Sequence, residues 1–225
     1  MNSVIGRKVT VKVPATSANL GPGFDTLGMA LSYYDELEVE AVSGQGATVE
    51  VIGEGQGDVP TDESNLVVQS IIYTFKKFDQ PVPGFKLKAH NIIPHGRGMG
   101  SSGAAVVSGI VAAQGLLSGI VEMSADDLLE IATELEGHPD NVAPALFGGL
   151  TIAWEDESGP HHKKLFVHRG VSPLELVPSF KMSTELARSL QPDSVPHNDA
   201  VFNVSRSALL IAALTQSPEL LLAAT

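Results

Sequence analysis

One stretch limits this chain more than any other. Pro94-His95-Gly96-Arg97-Gly98-Met99-Gly100-Ser101-Ser102-Gly103-Ala104-Ala105 is a glycine-serine loop that runs directly into residues carrying no charge until Glu122. Glycine lets a backbone wrap closely around a ligand, and open amides at a helix start attract anions. A loop of this kind feeding a helix can hold a phosphate. The uncharged run from Gly98 to Val121 is long enough to raise a membrane question. It is broken by Gly109, Gln114, Gly115, Ser118 and Gly119, and a helix apolar all round with small residues reads more simply as one buried in a core.

Other ligands compete for the loop. Gly98-Met99-Gly100-Ser101-Ser102-Gly103 fits the dinucleotide pattern G-x-G-x-x-G, with Glu122 in reach as a ribose-binding acid. That pattern should follow a buried parallel strand, whereas Phe85-Lys86-Leu87-Lys88-Ala89-His90 alternates apolar and polar like a half-exposed antiparallel one. No G-x-x-x-x-G-K-[ST] element is present, which argues against a P-loop NTPase. A loop without a ligand fits poorly with two serines at a helix start, where Ser101 and Ser102 are expected to cap.

Strands are expected at Lys8 to Val13, Tyr34 to Val42, Ala47 to Ile52 and Phe85 to Ala89, with a loop from Asn19 to Gly28 and a helix from Asn65 to Lys77. Ser124-Ala125-Asp126-Asp127 reads as a capping box opening a helix with Leu128, Leu129, Ala132 and Leu135 on one stripe. Gly137 can end that helix and Pro139 prevents its return, so Glu136, His138, Asp140 and Asn141 fall at a sharp exit. Helices alternating with amphipathic strands favour an α+β fold over a doubly wound parallel sheet. The polar turn Glu155-Asp156-Glu157-Ser158-Gly159-Pro160 gives a domain boundary, 1–160 and 161–225, although a hairpin fits there equally.

The net charge of −12 argues against nucleic acid, which demands clustered Lys and Arg. With no cysteine there is no thiolate metal site or cysteine nucleophile, so chemistry falls to oxygen and nitrogen groups. Met1 to Lys8 lacks the apolar region of a secretory signal, and a cytoplasmic location without membrane association is expected.

Pro-x3-Gly-x-Gly-Ser-Ser-x-Ala, from Pro94 to Ala104, resembles the phosphate-binding motif of the GHMP kinases, which act on galactose, homoserine, mevalonate and phosphomevalonate. Pro14-Ala15-Thr16-Ser17-Ala18-Asn19-Leu20-Gly21-Pro22-Gly23-Phe24-Asp25-Thr26-Leu27-Gly28 is similar to the first motif of the homoserine branch. So are Glu136-Gly137-His138-Pro139-Asp140-Asn141-Val142-Ala143-Pro144 and Ser183 to Pro192. The resemblance implies a two-domain architecture. Its N-terminal ATP-binding domain is like the second domain of ribosomal protein S5, and its second, ferredoxin-like domain is incomplete here. The family's third motif, a Ser-Gly-x-Gly-Pro-Thr-like loop, is not found before Thr225, which leads us to expect a fragment whose own activity is open.

By the same resemblance, ATP lays its phosphates across Pro94, His95, Gly96, Arg97, Gly98, Met99, Gly100, Ser101, Ser102, Gly103 and Ala104, with its base near Asn65. Mg²⁺ is held by Glu136 and Ser102. L-Homoserine sits among Asn19, Asp25, His138, Asn141 and Arg188, with Asp25 on its ammonium and Arg188 on its carboxylate or the moving phosphoryl group. Asn141 stands where several relatives place an Asp base, so a dedicated base is not implied. Taken singly, Asn19 and Asp25 would read as loop caps, His138 as structural and Arg188 as a solvated charge; the motifs reverse that. The activity implied is ATP-dependent phosphorylation of homoserine toward threonine, in a protein that could be a homodimer. The alternatives are another small-alcohol kinase, such as one for mevalonate, or a noncatalytic metabolite-binding protein on the same scaffold. Gly100→Val is expected to weaken ATP binding by filling the space where backbone meets phosphate.

Overall fold

The computed structural model describes residues 4–181, 187 and 189–225. Strict alternation of charged and apolar residues organises its sheet. In β1 (Lys8–Ala18) and β2 (Leu27–Val42), Val11, Val13, Leu37, Val39 and Ala41 turn inward while Lys8, Lys12, Glu36, Glu38 and Glu40 turn outward. Opposite charges meet across the antiparallel register, with Lys8 facing Glu40 at 3.1 Å and Lys12 paired with Glu36. The outer face therefore neutralises itself.

β2 is 16 residues long and serves two half-sheets. Glu36–Val42 pairs with β4 (Gly84–Asn91), which pairs in turn with β3 (Ala47–Gly53). Leu27–Met29 pairs with β5 (Leu150–Asp156), followed by β6 (Gly159–Leu165). The order is β3-β4-β2-β5-β6, with β1 also on β2. The β1 register shifts between Pro14 and Thr16.

The sequence expectation for β4 is half right. It is antiparallel to β2 but parallel to β3, and α1 (Leu66–Lys77) forms the crossover a parallel pair requires. The polar turn at 155–160 is the bend of the β5–β6 hairpin, so a boundary at 160/161 would separate β6 from the strand it pairs with.

The main core lies between the sheet and α1, α2 (Ser101–Leu116), α3 (Ala125–Glu136) and α4 (Pro139–Phe147). As its composition predicts, α2 is buried on nearly every side. It presses so closely on α1 that a Cβ on Gly109 would stand 2.5 Å from the Val67 carbonyl oxygen. The predicted capping box forms, Ser124 Oγ accepting from Asp127 N at 3.1 Å and Asp127 Oδ2 accepting from Ser124 N at 2.8 Å. Gly137, at φ +90°, ends α3. Pro139 does more than stop that helix, because it takes the first position of α4, where a missing N–H removes no helix bond. A second cluster joins Leu27, Met29 and Leu150 to Leu210, Ala213 and Leu214 of α5 (His197–Thr215). A 3-10 turn (Pro218–Leu220) and α6 (Leu221–Ala224) complete the described chain. Among the described residues no helix is long and apolar enough to cross a membrane.

Candidate active site

The phosphate loop leaves β4 and reaches α2 through Gly96, Gly98 and Gly100, all left-handed. The capping residue of α2 is Gly100, at φ +69°, and no side chain caps the helix. This corrects the expectation for Ser101 and Ser102, which occupy its first turn instead. Ala104 N donates to Gly100 O at 2.9 Å, so Ala104 offers no amide to a ligand; those of Ser101, Ser102 and Gly103 precede the first helix bond and are the ones suited to an anion. The Met99 side chain is buried in the core, so a contact of Met99 with a ligand would have to be made by its backbone.

Glu136 ends α3 beside this helix start, and its Oε2 accepts from Ser102 Oγ at 2.9 Å. Burial pushes the Glu136 carboxyl above the ordinary glutamate range, against the Ser102 bond that lowers it. The two side chains proposed to share a cation are thus in contact, and both are hard oxygen donors. Among the described residues no group of three or more His, Asp or Glu could hold a metal. A Mg²⁺ ion here would depend on phosphate oxygens for the rest of its shell, as that cation commonly does.

Between the ends of the strands and the starts of α1 and α2 lies a cleft of about 240 Å³. Its walls include Val49, Val51 and Leu66, with Asn65, His95 and Ser102 among the polar groups. Asn65 caps α1, Oδ1 accepting from Val67 N at 3.0 Å and Nδ2 donating to Pro60 O at 2.8 Å. It shapes the cleft with an amide engaged at both ends. Within the loop, Arg97 Nε is buried with no hydrogen-bond partner among the described residues.

His138, Asp140 and Asn141 fall at the start of α4. His138 Nδ1 meets Asp140 Oδ1 at 2.5 Å, and the Asp140 side chain is almost wholly buried. Asn141 Oδ1 accepts from Thr16 Oγ1 at 3.0 Å. Asn19 and Asp25 stand in a loop of left-handed residues, φ +66° and +52°, that Asn19 Oδ1 closes by accepting from Asp25 N at 2.7 Å. Both residue types tolerate that conformation. Asn19 therefore does the loop-capping work that a solitary Asn would. Arg188 lies outside the described residues.

Sequence reasoning missed Thr16, although it lies inside the first motif, because a lone Thr on a strand carries no signal. It missed Asp35 for a different reason, since an acid in an alternating strand is read as facing solvent. Asp35 Oδ1 accepts from Ile92 N at 2.6 Å and Ile93 N at 2.9 Å, tying β2 to the chain just before Pro94. Burial raises its carboxyl above the usual range against those two bonds. Asp35→Ala leaves two amides without their acceptor and is expected to lower stability by about 1–3 kcal/mol. Asp35→Asn, which keeps an acceptor oxygen, should lose less. Urea denaturation measures both, and equal losses would show that the charge and not the bonds matters.

Residues 65–149 match the family described as GHMP kinases N terminal domain. Homoserine kinase of Clavibacter michiganensis subsp. michiganensis is 74% identical over 220 residues, spanning 98% of this chain and 70% of that protein. The crystal structure of homoserine kinase from Cytophaga hutchinsonii superposes with a TM-score of 0.77 at 30% identity, over 95% of this chain and 69% of that one. Phosphomevalonate kinase of Streptococcus pneumoniae shares the fold alone, with a TM-score of 0.64 at 12% identity over 93% of this chain and 74% of its own.

Proposed function

Because the chain belongs to the homoserine kinases of the GHMP superfamily, we propose that it transfers the γ-phosphoryl group of ATP to the side-chain hydroxyl of L-homoserine. The product is O-phospho-L-homoserine, on the route to threonine. The observation that carries this reading is the contact of Glu136 with Ser102 at the α2 start, beside a cleft lined by Asn65, Ser101 and Ser102.

ATP places its base in the cleft by Asn65 and its phosphates on the amides of Ser101, Ser102 and Gly103. Arg97, with an unpartnered buried Nε, adds the guanidinium that a polyphosphate suits. Glu136 and Ser102 Oγ would hold Mg²⁺, whose charge offsets that of the phosphates. Homoserine lies among Asn19, Asp25, His138, Asn141 and Arg188, ammonium toward Asp25. Its hydroxyl oxygen forms the new bond to the γ-phosphorus as the bond to the β,γ-bridging oxygen breaks, releasing ADP. The hydroxyl proton passes to a phosphate oxygen or to solvent. Asp140 is already committed to His138, which supports a site that works by positioning. The ATP-binding domain runs to Leu165, where the β5–β6 hairpin ends, and the residues beyond Leu165 belong to the second domain. A cytoplasmic location suits a reaction that consumes ATP.

ADP release from the full-length protein, assayed against homoserine, mevalonate and galactose, tests the reading. Homoserine should be the favoured acceptor. Asp25→Asn should raise its KM by on the order of tenfold, the worth of a hydrogen bond to a charged group. Any turnover of mevalonate, which has a carboxylate but no ammonium, should be unaffected. Equal losses on both substrates would remove Asp25 from the ammonium, and preference for mevalonate would sink the homoserine assignment.

A further inference from the structure

We infer that Thr16 is the positioning residue that fixes the Asn141 amide; this rests on the reading that Asn141 faces the reacting groups. Thr16 is wholly buried, immediately after the register shift in β1. The phosphate loop and α4 meet on it. Its backbone N donates to Met99 O of the phosphate loop at 3.1 Å, and its Oγ1 donates to Asn141 Oδ1 of α4 at 3.0 Å. The position of an added Cβ on Gly100 would lie 2.0 Å from Oγ1 and 3.1 Å from Asn141 Oδ1. Thr16 and Asn141 thus fill the room that any side chain at Gly100 would need.

The chemistry depends on which end of the amide is taken. A β-branched side chain is stiff at χ1, so the hydroxyl has little freedom to leave Asn141. With Oδ1 turned toward Thr16, the Nδ2 end of Asn141 is turned away from it, and that end can only donate. Asn141 therefore presents hydrogen-bond donors to an oxygen of the acceptor hydroxyl or the moving phosphoryl group, and does not receive a proton. Removing the Thr16 hydroxyl frees the amide to rotate, while the nucleotide cleft, lined by other residues, keeps its shape.

The test is a double-mutant cycle in the full-length enzyme with steady-state kinetics for both substrates. Thr16→Val, nearly the same shape without the hydroxyl, is expected to lower kcat about tenfold, the reach of one lost positioning bond, with the KM for ATP little changed. Thr16→Ser should restore most of the rate. In an Asn141→Ala background, Thr16→Val should have no further effect. If Thr16→Val does not fold, Thr16→Ala removes the same hydroxyl without a buried methyl and is read in the same way. Full activity of Thr16→Val, or an equal loss with and without the Asn141 amide, would overturn the inference while leaving the kinase reading intact. Full activity of Asn141→Ala would instead remove Asn141 from the site and the inference with it.

Discussion

Gly100→Val should lower kcat/KM by more than about 100-fold, the scale of a reacting group displaced by an ångström. The expected cause is not the loss of space for a phosphate. A Cβ on Gly100 would point away from the open side of the loop and into Thr16 Oγ1 at 2.0 Å. Thr16 is held in a buried strand, so the collision must be relieved by moving the loop or Asn141. The left-handed backbone adds about 1–2 kcal/mol for a residue with a Cβ. Gly98→Ala separates the two contributions, because Gly98 has the same handedness at φ +79° but nothing within 4 Å of its Cβ position. That variant should suffer the strain alone and keep most activity. Titration calorimetry with ATP, rates and melting curves of the two variants make the comparison. A folded Gly100→Val enzyme with normal ATP affinity and rate would take this loop out of the site.

Glu136→Gln should raise the magnesium requirement and reduce turnover by on the order of 10²-fold, as expected when a neutral amide replaces a carboxylate in charge stabilisation. The fold should not suffer. Gln still offers Ser102 an acceptor oxygen, and a carboxyl whose pKa is raised by burial favours folding when protonated, an advantage lost as pH rises through that raised value. At neutral pH the buried charge therefore opposes folding, and Glu136→Gln should melt no lower than the parent. The same shift sets a pH dependence. Protons compete with the cation, so the magnesium requirement of the parent should climb as pH falls, beginning above the ordinary glutamate range, and the Gln variant should lack this limb. Glu130→Gln is the control, since Glu130 is half exposed and bonded to Lys77 at 2.8 Å. A raised magnesium requirement for Glu130→Gln and none for Glu136→Gln would show that the wrong carboxylate was chosen.

Features governed by short-range periodicity were legible in the sequence. The alternation of β2, the Ser124 box and the Gly137 stop all form. Family motifs pointed to the loop and to Asn65 but could not show how their members touch. The contact of Ser102 with Glu136 spans 34 residues and that of Thr16 with Asn141 spans 125, distances over which no periodicity speaks. The parallel β3–β4 pair was hidden because β4 alternates to suit its antiparallel neighbour and its charged outer face, so its pattern reports exposure and not direction. Asp35 was obscured by the same alternation, since its partners are backbone amides that leave no mark in sequence.

Gly109 has a bearing on the whole nucleotide. With the backbone of α2 nearly touching the Val67 carbonyl, the first turn of α1, which carries Asn65, is clamped against the middle of α2, about two turns from the Gly100 that opens it. Sliding one helix past the other would require that contact to open. In the proposed ATP site this spacing would act as a calliper set by the core, Asn65 on the side of the base and the α2 start on the side of the phosphates. Selection by the reach of the ligand is built in before any polar group has spoken.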